Sequence, residues 1–106
     1  MAASVNPTSI VDRITETLVA TQKFSTKEDA LWELALAAVR NKIVYYQRRI
    51  RRLENKYGAD FDTFTEQLKN KATPVEEDDW LGWRSARSMV ADWQKTYQDL
   101  RYEHTR

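Results

Sequence analysis

Apolar positions recur along two stretches of the chain with the same beat. From Trp32 they fall at Leu36, Val39, Ile43, Tyr46, Ile50, Leu53 and Tyr57, alternating between spacings of four and three; from Trp83 they fall at Ala86, Val90, Trp93, Tyr97 and Leu100. Such a beat places each set on one narrow stripe of an α-helix, the pattern by which two helices pack along their length. Ile10, Ile14 and Leu18, spaced by four behind Pro7 and Thr8, mark a shorter first helix, and Phe61, Phe64 and Leu68 mark another short one. The pattern therefore predicts an all-α protein: an antiparallel hairpin or coiled coil of two long helices with two short accessory helices.

Helix-end chemistry sets the expected boundaries. Ser25 followed by Glu28 has the spacing of a capping box, in which each side chain satisfies a backbone N–H near the other. Gly58 stands where a left-handed C-terminal cap is wanted, and Asp60 is placed to cap the third helix. Thr73, Pro74 and Glu76 combine a capping residue, proline at the first helical position and a glutamate three residues after the cap. One helical domain over 1–106 is expected, with a loose end at 1–7 and helices at 8–20, 26–57, 61–70 and 74–102. The second would run about 48 Å at 1.5 Å per residue, and the fourth would tolerate Gly82 inside it at some cost.

Charge adds a prediction about how the long helices align. Arg48, Arg49, Arg51, Arg52 and Lys56 crowd the end of the second helix, while Glu76, Glu77, Asp78 and Asp79 crowd the start of the fourth. Antiparallel packing brings these blocks together, with Ile50 near Trp83 and Ile43 near Val90. On this reading the arginines form ion pairs internally or across an interface, and nucleic acid is possible but not favoured. The formal net charge of +1 supplies no global field to draw a polyanion.

Little in the composition supports catalysis. Cysteine is absent, the sole histidine is His104 near the end, and no glycine-rich phosphate loop occurs. The usual nucleophilic, metal and nucleotide constellations thus have nothing to stand on, so neither enzymatic activity nor a cofactor is expected. The acidic run is read as dipole complementarity at a helix start rather than a metal site. No apolar run approaches the roughly 20 residues that span a bilayer. The N-terminus lacks signal-peptide character, which makes a cytoplasmic location the expectation.

Binding is the more promising class. Of residues 30–39 only Glu33 is charged, so this part of the helix is apolar nearly all round and more faces need cover than a small monomer offers. A homodimer is the expected consequence. Aromatic residues are in excess, and those off the seam suit interface anchors. The candidate partner-binding residues are Trp32, Leu36, Tyr45, Arg48, Arg49, Arg52, Trp80 and Tyr102.

Two resemblances give this reading a specific form. The run from Ile14 to Val39, with Leu18, Val19, Lys23, Phe24, Ser25 and Glu28, resembles the helical part of ParD-type antitoxins, without the β-strand that precedes it there. The order of basic helix, Lys56-Tyr57-Gly58, Phe61, Phe64, acidic stretch, Trp80 and Trp83 is similar to small helical proteins of bacteria and archaea often encoded beside putative toxins. These resemblances imply a prokaryotic antitoxin that docks on a cognate toxin protein and masks it, with no chemistry of its own. The alternatives are a helical nucleic-acid-binding regulator using Arg48, Arg49, Arg51 and Arg52, or a structural adaptor coiled coil.

Overall fold

Every regular element among the described residues is an α-helix: α1 (Pro7–Ala20), α2 (Lys27–Tyr57), α3 (Phe61–Leu68) and α4 (Pro74–Thr105). The computed structural model describes residues 6–21 and 24–105. Residues 1–5 of the expected loose end at 1–7, and Lys23 of the antitoxin-like turn, lie outside them, whereas Asn6 caps the first helix and Pro7 belongs to it. None of the described helices is long and apolar enough to cross a membrane.

The helix ends follow local chemistry. Asn6 caps α1 by accepting the Ser9 N–H at 2.8 Å, with Pro7 as the first helical residue. Asp60 caps α3 through the Thr63 N–H at 2.8 Å. At the start of α4 the reciprocal box is complete: Thr73 N–H donates to Glu76 Oε1 at 2.9 Å, and Glu76 N–H donates to Thr73 Oγ1 at 3.2 Å. Gly58 adopts φ +60 just past α2, the left-handed conformation that side chains resist.

Four boundaries differ from the expected ones; α1 begins at Pro7 and α4 runs on to Thr105. Thr26, not Ser25, caps α2, accepting the Asp29 N–H at 3.1 Å, because the Ser25 hydroxyl is engaged with the Asp29 carboxylate at 3.1 Å. The third helix stops at Leu68 rather than at residue 70, since Asn70 turns into the left-handed region at φ 65. Asparagine tolerates that region better than most residues, and the chain uses it to turn toward α4.

The chain divides into two compact units, Met1–Ala37 and Ala38–Arg106. In the first, Lys27 Nζ lies 3.0 Å from Asp12 Oδ1 and ties the start of α2 to α1. Thr15, Ala30 and Leu36 are the buried ones among its described residues, and the Thr15 hydroxyl is satisfied by donating to the Asp12 carbonyl at 2.9 Å. The Ile10, Ile14, Leu18 stripe that identifies α1 is therefore not the face it buries. Ile10 is 46% and Ile14 43% exposed.

The second unit is organised around an aromatic cluster where α3 packs on α4. Phe64 and Trp83 are fully buried, with stacked rings 5.4 Å apart. Tyr57 lies 4.1 Å from Phe64, and Phe61 meets Trp83 edge-on at 5.6 Å. Burying such a side chain is worth about 1.5–3 kcal/mol, and each well-oriented ring pair about 0.5–1.5 kcal/mol more. Ala86, one turn after Trp83, is buried as well.

Candidate functional site

Three features of the Ala38–Arg106 unit concern function, and the first is the charged cleft between the end of α2 and the start of α4. Arg49, Arg52, Leu53, Lys56, Asp78, Asp79 and Gly82 line a cleft of about 230 Å³. Lys56 Nζ lies 2.7 Å from Asp79 Oδ2, and the Tyr57 hydroxyl donates to the same oxygen. Asp79 is held below the usual carboxylate range by the hydrogen bond from Lys56 and then by that from Tyr57. Asp79 in turn holds the Lys56 ammonium above its ordinary value, while burial and then Asp79 raise the Tyr57 hydroxyl.

This pairing corrects the sequence expectation in an informative way. A basic–acidic pairing forms, but Lys56 supplies the cation. Among the described residues none of Arg48, Arg49, Arg51 and Arg52 reaches ion-pairing distance of a carboxylate. Arg49 instead lies over the Tyr45 ring at 6.0 Å and brings its Nη2 close to Gly82. The acidic run is also divided, because Glu76 serves the α4 cap and is held low by the Thr73 backbone N–H. No group of three metal-ligating side chains comes together among the described residues.

The second feature is the outward face of α2. Val44, Tyr45, Arg48, Arg51 and Arg52 are all exposed, Tyr45 by 54%, whereas Ile43, Tyr46, Ile50 and Leu53 on the other side are half-buried. Asn41, Val44, Tyr45, Arg48 and Arg52 line a cavity of about 450 Å³ framed by basic, aromatic and amide groups. Glu54, the carboxylate nearest in sequence, lines a different cleft with Ile50, Trp83 and Val90.

A third feature is an apolar pocket of about 340 Å³ at the α3–α4 corner, lined by Thr65, Leu68, Lys69, Ala72, Glu77, Trp80 and Leu81. The Trp80 indole is fixed by donating Nε1–H to Thr65 Oγ1 at 2.9 Å, by stacking on Phe61 at 5.8 Å, and by Arg84 over its ring at 5.6 Å. Trp80 is thus a held wall of a pocket rather than a projecting anchor. Leu81, 55% exposed, opens the pocket to solvent, and the seam did not single it out. Its signal was available: an apolar residue off the stripe of an amphipathic helix.

The remaining candidates separate. Tyr102 near the end of α4 is exposed, and Trp32 is half-buried in the first unit. Leu36 is buried within that unit, so its side chain serves the interior rather than an open surface. Trp93, on the expected seam, is half-buried with its Nε1–H shielded from solvent and without an acceptor.

Comparison with protein-family models, with curated proteins and with solved structures finds no match.

Proposed function

We propose that this chain is a non-enzymatic binding module that completes its burial against another protein, and that an antitoxin masking a cognate toxin is its specific form. The carrying observation is the ratio of covered to uncovered apolar side chains. Among the described residues Leu36, Val39, Phe64 and Trp83 are the large hydrophobics that are buried, while nine others are exposed. Exposed apolar residues that cluster, rather than scatter, mark interaction surfaces. In the first unit Ile10, Ile14 and Leu18 share a groove on α1; in the second, Leu81 opens onto the Trp80 pocket.

The frame for this module is an antiparallel pairing of α2 and α4, supported by contacts that run in opposite senses along the two helices. Lys56 meets Asp79, and Arg40 Nη1 donates to Tyr97 Oη at 3.1 Å. A second copy of the chain is one occupant of the uncovered surface, and a toxin is the other. The antitoxin form draws further support from the order of the basic helix, Lys56-Tyr57-Gly58 and the closing tryptophans.

The test is co-expression with the protein encoded by the neighbouring reading frame. The expected result is a stoichiometric complex that relieves growth arrest and is lost in Leu81→Asp or Ile14→Asp variants that keep their helical signal. Without a partner, light scattering should give twice the 12.5 kDa chain mass. A strict monomer that captures nothing from a toxic neighbour would refute the proposal.

A further inference from the structure

Residues 40–56 hold seven basic side chains against Glu54 alone, in a chain whose net charge is only +1. Most of that charge is not consumed by the fold, since Lys56 takes Asp79 and the four arginines pair with no described carboxylate. Asn41, Tyr45, Arg48, Arg52 and Asn55 follow one another at spacings of four and three, and Arg51 flanks them. All six are exposed. They form a stripe about 21 Å long, at 1.5 Å per residue, with no carboxylate on it.

We infer that this outward face of α2 binds duplex DNA, with its arginines on the phosphates that border the major groove. Charge and shape both favour this partner. An arginine guanidinium grips phosphate oxygens with two parallel hydrogen bonds, and Arg48, Arg51 and Arg52 offer these within one turn of helix. The major groove of B-form DNA is about 12 Å wide and admits an α-helix. The deep, narrow major groove of A-form RNA does not. Single strands are held by successive aromatic platforms, whereas this stripe carries one ring, Tyr45, and Arg49 already lies over it.

Two objections are met by distance. The near-neutral net charge matters less than the local field, because at physiological salt the Debye length is about 8 Å. Of the stripe's arginines Arg52 also borders the cleft that holds Asp78 and Asp79, where Lys56 neutralises Asp79, whereas Arg48 and Arg51 do not line it. An acidic protein segment is the weaker occupant for this stripe, because protein interfaces draw their energy from anchors seated in pockets. The cavity on this stripe is framed by the polar Asn41, Arg48 and Arg52 as well as by Val44 and Tyr45, and the mainly apolar pocket lies elsewhere, at Trp80 and Leu81.

The experiment is fluorescence anisotropy of the full chain with labelled duplex DNA, single-stranded DNA and double-stranded RNA at two salt concentrations. Duplex DNA is expected to bind with Kd below about 100 µM at low salt and to weaken roughly 10²-fold between 50 and 200 mM, the signature of three to five released counterions. The Arg48→Glu/Arg51→Glu variant is expected to lose at least tenfold while its circular dichroism and melting are unchanged. A control with the same change in net charge, Lys69→Glu/Lys71→Glu, is expected to bind as the parent does. Equal or tighter binding of single strands or double-stranded RNA overturns the inference. So does an equal loss in the control, or absence of duplex binding; if the arginine variant then instead releases a protein partner, the stripe is a protein interface.

Discussion

Gly58 and Gly82 show how one residue type answers to two different constraints. At Gly58 nothing lies within 4 Å of an added Cβ, so the cost of a side chain there is purely conformational, set by φ +60. Gly58→Ala is expected to destabilise by about 1 kcal/mol, visible as a fall of a few degrees in the thermal midpoint. Gly82 lies inside α4, where an added Cβ would meet Arg49 Nη2 at 3.7 Å, an ordinary contact. Gly82→Ala is therefore expected to stabilise by about 0.5–1 kcal/mol, since alanine has the higher helix propensity. A melting scan of both variants checks the opposite signs. Gly58 was readable in the sequence because glycine after a long apolar beat means a cap. Asn70 was not, because asparagine suits a helix end, a turn and a solvent face almost equally.

At the scale of the element, caps and ion pairs carry separate predictions. Thr26→Ala should cost about 1 kcal/mol and Ser25→Ala distinctly less, because only Thr26 accepts a helix N–H. Chemical denaturation of the two variants decides the assignment; equal losses would restore Ser25 as the cap. Stability against pH follows from the direction of each shift. Asp79, Glu76 and Asp60 have folded values below their ordinary ones, Asp60 through the Thr63 backbone N–H. Their stabilisation is full above the unfolded carboxylate range and is lost as pH falls through the lower folded values. The thermal midpoint should thus drop below about pH 4. Lys56 and Tyr57 are raised, so their stabilisation is full below their ordinary values and is lost as pH rises above about 10. Asp79→Asn should weaken the dependence at both ends.

Across the whole molecule, stability is expected to be uneven. The contacts among Tyr57, Phe61, Phe64 and Trp83 join three helices of the second unit, whereas the first unit buries only Thr15, Ala30 and Leu36 among its described residues. Hydrogen exchange should therefore be slowest in α3, the end of α2 and the middle of α4, and fastest in α1. Trp83→Ala is expected to cost about 3–5 kcal/mol. Uniform protection from α1 to α4 would contradict this division.

The sequence by itself determined the helices, because each is written in local terms: a 3.6-residue apolar beat, a capping hydroxyl, a proline at an N-terminus, a glycine past a C-terminus. It also put Phe61, Phe64 and Trp83 each on its helix's apolar stripe, and the tertiary structure brought the three rings together. Tertiary structure decided what no local rule contains, namely which of several equivalent groups wins a shared partner. Lys56 rather than an arginine reached Asp79, Thr15 rather than Ile14 turned inward, and Trp80 became the wall of a pocket by finding Thr65. Each of those outcomes depends on the distance and direction between side chains on different turns or different helices. Periodicity fixes the face a residue occupies, not the neighbour that face will meet.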